Sequence, residues 1–484
     1  MCAHRPPRAP DGPHPAAISA ARCHAVAATV GTVPSAVLDG LVFVALAVRQ
    51  LLLVNRYAAN GLYWDQWDFY RPFFDNLGWW EIFDHQHGPH RMGVGSLVIW
   101  AGASISGWNC RYDSFEVSLF IIAAAALALR LTRFYDGHRL PLVAIPLLFF
   151  NVHQWEMLVA ASDPSHGAAP LFLLMLYCLA WFWRKTGRRI LALSALTFLL
   201  IFTGFGIFVG ILTPLLFTIE GIQAWRAKET AHAGLALLGV GACIAAWTWF
   251  AHGYRFEPAA PGFRFPYEKP LAYFTCVASM QANFYGRPGR GWISLAAGFP
   301  LAGILVGLCG WHASRCIRLG VANEPRSVVI FCLTAFELMY CAATAIGRVP
   351  LGNDAGDASR YVPLLVPAGL AIYLQLAQMS WRSWAWRLAL LYTLMLVPAT
   401  ALMHADEHTM VSYFSEGRQR WALSYLRYHD QAKADEAAHF KIYPRLTLAD
   451  RLRYLEEHHL NFFRDAELSR VPSGPQSEVN DGPR

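Results

Sequence analysis

Charge is scarce in this chain: only 15% of its 484 residues are Asp, Glu, Lys or Arg, against about 25% in a water-soluble globule. Beside a 55% hydrophobic composition, that shortage excludes the two or three soluble domains that the length alone would allow. Other features are missing outright. The cysteines form no Cys-x-x-Cys pair and no Cys/His zinc spacing, no Walker-type phosphate loop occurs, and no internal repeat is visible. The net charge of +7 is spread along the chain instead of forming a stripe, which argues against a nucleic-acid partner. No signal peptide is read either. The first apolar run, 36–54, is too long for a signal h-region and lacks a small-residue cleavage site, so it is expected to stay as an anchor.

What is present is apolar sequence in long runs. Candidate spans fall at 36–54, 114–132, 139–152, 168–183, 189–203, 206–220, 232–251, 291–311, 327–346, 360–379 and 386–404. The expected fold is therefore an all-α polytopic helical bundle of about eleven spans, several of them shorter than the ~20 residues of a perpendicular helix. Basic segments recur at alternate span ends (Arg133–Arg139, Arg184–Arg189, Arg226–Lys228, Arg315–Arg326, Arg382–Arg387), and the positive-inside rule puts them in the cytoplasm with the N-terminus. Parity then requires that 93–108 lie at the outer surface without crossing. Three regions follow: a disordered basic N-terminus (1–35), a transmembrane domain (36–404) with its first outer loop at 55–113, and an outer helical tail (405–484). Gly204, Gly206 and Gly210 read as close helix packing. Five cysteines in apolar runs behave as small hydrophobes. Cys110 in the first outer loop and Cys276 in an outer loop at 252–290 both fall outside, where a disulfide is open.

The outer face receives nearly all the unusual polar residues. In Tyr63-Trp64-Asp65-Gln66-Trp67-Asp68, two carboxylates three residues apart share one side of a helical turn. Near an apolar boundary their basicity is modified, and an acceptor hydroxyl needs such a base. Neighbouring rings suit a sugar face. An interfacial aromatic belt with incidental acids is the equal alternative. His85-Gln86-His87-Gly88-Pro89-His90-Arg91 suits either a metal or a phosphate. Pro89 opposes two ligands on one helix face, which favours a phosphate clamp by His87, His90 and Arg91. Arg348, Arg360 and Tyr361 stand at the outer mouth of two spans. There an arginine either snorkels or uses its planar fork on a lipid phosphate. Glu337, mid-span, is expected to hydrogen-bond within the bundle.

Together these residues resemble a large group of bacterial GT-C-type membrane glycosyltransferase-like proteins. The likeness runs through most of the chain. It rests on Asp65/Asp68, Gln86-His87-x-x-His90-Arg91, Gly107-Trp108-Asn109-x-Arg111, Gln154-Trp155-Glu156, Gly347-Arg348, Ser359-Arg360-Tyr361 and Ile442-Tyr443-Pro444. The sequence departs from the pattern at Pro89, where an acid is expected, and at Met157-Leu158-Val159-Ala160, where polar and aromatic residues are. The resemblance implies a bacterial inner-membrane enzyme using a polyprenyl-phosphate-linked sugar donor at the periplasmic face. Its implied base is Asp65 or Asp68, and its implied donor-phosphate residues are His87, His90, Arg91, Arg348, Arg360 and Tyr361. No metal and no cofactor are expected for the transfer. The competing expectations are a flippase of lipid-linked sugars and a non-catalytic scaffold of envelope assembly. Transporters favour repeats and midplane sites, whereas here the polar residues crowd one face.

Overall fold

The computed structural model describes residues 35–135, 140–257, 263–287, 291–352, 355–444 and 448–469. The expectation of disorder at 1–35 falls almost wholly outside them. Among the described residues the chain is helical apart from one two-stranded hairpin, Gln86–His87 with His90–Arg91.

Among the described residues, eight helices are long and apolar enough to cross a membrane: Val37–Tyr57, Arg111–Tyr135, Gly204–Arg226, Thr230–Ala251, Trp292–Leu319, Pro325–Leu351, Ser359–Ala377 and Ser383–Ala401. This is a multi-pass membrane protein. The lipid-facing character is plain on the first helix, where Val37, Leu38, Leu41, Val44, Val48 and Leu52 are all exposed. In water such a stripe would be an aggregation surface; in hydrocarbon it is solvated. Exposed tryptophans ring both ends, with Trp183, Trp225, Trp381 and Trp384 at one and Trp249 and Trp292 at the other, as amphipathic indoles do at the two interfaces.

The remaining three expected spans are short. Segment 139–152 contains only the six-residue helix Ala144–Phe149, buried at every position. Segments 168–183 and 189–203 become Ala168–Ala180 and Thr186–Ile201. Two of the three are hydrophobic because they are enclosed by neighbouring helices, which hydropathy alone does not distinguish from lipid contact. A further correction concerns 252–290, read as an outer loop. It contains the helix Leu271–Phe284, whose second half is buried in the bundle. There Gln281 Nε2 and Cys341 Sγ donate to Glu337 Oε1, so Glu337 hydrogen-bonds inside the bundle as expected, although its Oε2 is buried without a partner among the described residues. Arg49, a charge in the first helix, donates to the carbonyls of Phe150 (2.5 Å) and Thr400. A buried arginine without such acceptors would be prohibitively costly.

The basic segments gather at one end of the bundle. Tyr135 donates to the Arg326 carbonyl (2.6 Å), Gln223 to the Cys316 carbonyl (3.0 Å), and Arg189 pairs with Glu220. The loops and the tail gather at the other. Helix Gly93–Ser106 has both ends there: Gly93 lies against Phe202 and Thr203, and Gly107 lies against the tail's Arg464. At 14 residues it is shorter than the eight candidate spans. Gly107, at φ +65°, ends that helix in the left-handed conformation that glycine adopts without Cβ strain.

The tail is not a separate subdomain. Its Trp421, Tyr425, Phe440, Ile442, Leu448, Leu452 and Phe462 share one apolar core with Leu62, Trp67, Phe69, Tyr70 and Phe73 of the first loop. Arg418, fully buried, joins the two parts. It donates to the carbonyls of Gly61 (2.6 and 2.9 Å), Val159 (3.2 Å) and Ala160 (2.6 Å), and its Nη2 reaches Gln66 Oε1 and Cys110 Sγ at 3.3 Å. The apolar stretch Met157–Ala160 thus serves as core and as carbonyl acceptor. Cys110 and Cys276 are both free thiols, so the structure has no disulfide between them.

Candidate active site

The first loop turns back on itself immediately after Tyr63. Trp64 takes φ +50°, its N–H donates to the Ile442 carbonyl (2.9 Å), and Asp65 opens the short helix Gln66–Phe69. Gln66 fixes that turn from beneath: its Nε2 donates to Asp113 Oδ2 (3.0 Å) and to the Ser162 carbonyl (3.3 Å). Tyr70 donates to Asp113 Oδ1 as well (3.0 Å). The loop that carries the candidate base is therefore held by buried polar partners on three other segments. Such a network is rigid only because each member is satisfied.

The two acids then diverge. Asp68 accepts from Tyr443 OH at 3.0 and 3.1 Å and faces Arg451 Nη1 at 3.8 Å. It ties the tail to the loop. Asp65 is half-buried and makes no side-chain hydrogen bond among the described residues. Its charge acts on His87 and His166.

His87 and His90 face each other across the hairpin, in register His87↔His90. Gly88, at φ +56°, supplies the left-handed first corner that a two-residue turn with proline second requires. Both rings pack against His166, with centroids 5.9 and 5.4 Å away, while Phe69 stands 4.9 Å from His87 and Phe205 stands 4.2 Å from His90. Burial pulls both histidines down, His90 strongly. They are neutral near pH 7 and can offer hydrogen bonds but no charge. His90 Nδ1 is buried with no partner among the described residues. His85 turns away, its Nε2 at 3.3 Å from the Asp68 carbonyl, and burial brings it down to about 4.

Arg91 is a correction. It is buried, with Nε at 3.2 Å and Nη2 at 2.8 Å from the Phe250 carbonyl and Nη2 at 2.7 Å from that of His252. Its Nη1 meets the Asp84 carbonyl (2.5 Å) and carboxylate (2.8 Å). Guanidinium donors spent on the main chain and on Asp84 hold the hairpin to the helix Thr230–Ala251 and are not available to a phosphate. Arg348 and Arg360 do come together. Both guanidinium groups lie over the Tyr361 ring, at 5.8 and 5.3 Å. Arg348 also acts on His90 and His166. Arg360 is paired through Nη1 with Glu156 Oε1 at 2.6 Å, yet its side chain is still 48% exposed.

Sequence reasoning missed His166 and Asp163. They lie in Ser162-Asp163-Pro164-Ser165-His166, a polar cluster between apolar runs and on the outer face, and that contrast was the available signal. His166 Nδ1 pairs with Asp163, whose Oδ1 accepts from Ser165 N–H at 2.7 Å. Gly95 and Gly204 let two backbones close on Ser165, where a Cβ would collide. Tyr63 completes the group. Burial raises it to about 12, and the charges of both Glu156 and Asp65 act on it. The charge of Asp65 thus acts on Tyr63, His87 and His166, and that of Arg348 on His90 and His166. Comparisons with protein-family models, with curated proteins and with solved structures find no match to this chain.

The Asp163–His166 pair carries a pH prediction. Burial would lower His166, but the Asp163 charge and hydrogen bond outweigh it and leave it raised; burial would raise Asp163, but His166 leaves it lowered. The histidine's contribution is complete below its unfolded value near 6.5 and fades as pH rises through the folded one. The aspartate's is present above its unfolded value near 3.8 and fades as pH falls through the folded one. Both are therefore full between about pH 4 and 6.5. Asp163→Asn is expected to lower the melting temperature most in that window and progressively less as pH rises through the raised folded value of His166. An equal loss at all pH values would show that the pair does not titrate this way.

Proposed function

We propose that this chain is an inverting membrane glycosyltransferase of GT-C type, moving a sugar from a polyprenyl-phosphate donor to a hydroxyl acceptor at the outer face of a bacterial cytoplasmic membrane. The observation that carries the reading is the grouping around Asp65. A carboxylate with no hydrogen-bond partner among the described residues acts by its charge on His166, as Arg348 does, and Arg348 and Arg360 lie over one tyrosine ring. A base and an anion-stabilising pair are the two things this reaction requires.

In the proposed step Asp65 takes the proton of the acceptor hydroxyl as its oxygen bonds to the anomeric carbon. The bond from that carbon to the phosphate oxygen breaks, and its electron pair leaves with the polyprenyl phosphate, inverting the configuration. Arg348 and Arg360 offset the charge gathering on the phosphate, which a monoester can accept without a metal. His166, whose protonated form the Asp163 carboxylate favours, adds a third group on which that charge can act. His87 and the unpartnered His90 Nδ1 offer hydrogen bonds only. The exposed Trp64 beside Asp65 provides a ring for a sugar face.

The test uses purified protein in lipid nanodiscs, supplied with polyprenyl-phosphate-linked sugars and hydroxyl acceptors. Transfer is expected in the presence of EDTA. Arg360→Lys keeps the charge but loses the planar fork, and is expected to slow donor use by about ten- to a hundredfold. Arg264→Lys, on an exposed i,i+4 pair with Glu268, is expected to change nothing. Transfer from a nucleotide sugar with no lipid donor present would overturn the assignment.

A further inference from the structure

Away from the Asp65 group, three segments meet at a second cluster. His153 comes from the turn Val152–Gln154, Gly286 follows the helix Leu271–Phe284, and His404 and Glu407 begin the tail helix Ala405–Tyr428. His153 is buried, with Nδ1 at 2.9 Å from both Glu407 oxygens. The His404 ring stacks on it, centroids 5.0 Å apart and planes at 29°, and His404 Nε2 is 3.2 Å from the Gly286 carbonyl. Among the described residues this is the His/Cys/Asp/Glu group whose ligand atoms all lie within 4.8 Å of one another.

Two imidazoles and a carboxylate are a donor set for borderline divalent ions, zinc above all. Ligands bound at about 2.0–2.2 Å in a tetrahedron stand about 3.3–3.6 Å apart, so closure around an ion draws the most distant atoms in by about an ångström, a shift open to the exposed His404 ring. Gly286 permits the approach: at φ +73°, a Cβ there would stand 2.8 Å from His153 Nε2. The N-terminus of the tail helix repels a cation, but Asp406 and Glu407 in its first turn offset that field.

We propose that His153, His404 and Glu407 form a zinc-class metal site that staples the tail to the segment carrying Glu156. The connection to Glu156 is short. Ser359 Oγ donates to the His153 carbonyl at 2.6 Å and accepts from the Glu156 N–H at 3.0 Å. The ion is structural and does not rest on the glycosyltransferase reading.

The test is a titration of the full chain in detergent, stripped with EDTA and exchanged into metal-free buffer, with zinc sulfate. One zinc per chain and a higher melting temperature are expected, and cobalt(II) should give the visible absorption of a low-coordinate nitrogen–oxygen site. Glu407→Gln keeps the side-chain volume, and His404→Asn keeps an N-cap acceptor. Each should weaken zinc about a hundredfold and remove the cobalt band, while the metal-free melting temperature stays within a few degrees of the parent. No zinc bound by the parent chain overturns the proposal, as does unchanged binding in both variants. So does binding lost in His87→Ala and retained in His404→Asn, which would place the ion at the hairpin histidines.

Discussion

Asp65→Asn is expected to cut sugar transfer by about 10²–10⁴-fold, the usual effect of losing a general base, while insertion and melting stay unchanged. Asn matches Asp in size and keeps hydrogen-bonding capacity, so only proton acceptance is removed. Structural harm is not expected, because among the described residues the Asp65 carboxylate holds no other part of the fold. Asp68→Asn should behave differently. Its carboxylate accepts from Tyr443 and faces Arg451, so the substitution should loosen the tail and lower the melting temperature, with transfer reduced only to that extent. Rate assays on both variants, set beside their melting curves, separate the two roles. Full transfer in Asp65→Asn would eliminate Asp65 as base.

Arg418→Met is expected to destabilise the assembly of loop and tail by about 3–5 kcal/mol, the cost of removing one member of a buried charged network. Met fills much of the volume but leaves the carbonyls of Gly61, Val159 and Ala160 without the donors they now have. Each buried acceptor left unsatisfied costs about 1–3 kcal/mol. Arg418→Lys restores charge and some donors and should recover part of the loss. Because Gly61 lies four residues before Asp65, transfer should fall together with stability. Limited proteolysis of the tail in nanodiscs, alongside thermal unfolding, reads the effect. A tail as protease-resistant in Arg418→Met as in the parent chain would show that Arg418 is not the clamp.

Several roles assigned from residue type alone changed once partners were visible. Arg91 and Arg360 are the same residue type at outer positions. One is spent on the carbonyls of Phe250 and His252, and the other keeps half of its side chain exposed beside Glu156. Nothing in their local sequence separates them. Asp65 and Asp68 differ because Tyr443, far along the chain, reaches only Asp68. Gly107-Trp108-Asn109 and Ile442-Tyr443-Pro444 both lie in the loop–tail contact, each with its own partner: Asn461 N–H donates to the Gly107 carbonyl (2.9 Å), and Trp64 N–H to that of Ile442.

The sequence by itself determined the helical membrane class and the gathering of basic segments at one end. Hydropathy and charge placement are local quantities, summed over a window without knowledge of neighbours. Its expectation that 93–108 lies at the outer surface rests on parity, which is arithmetic on those same local signals. Only the tertiary structure decided which apolar segments are enclosed by protein, that Leu271–Phe284 enters the bundle, and that the tail shares its core with the first loop. It alone drew His166 and Asp163 beside Asp65, and His153 beside Glu407. Those outcomes depend on which distant groups satisfy each buried donor or charge, a pairing set by packing across the whole chain and carried by no single stretch of it.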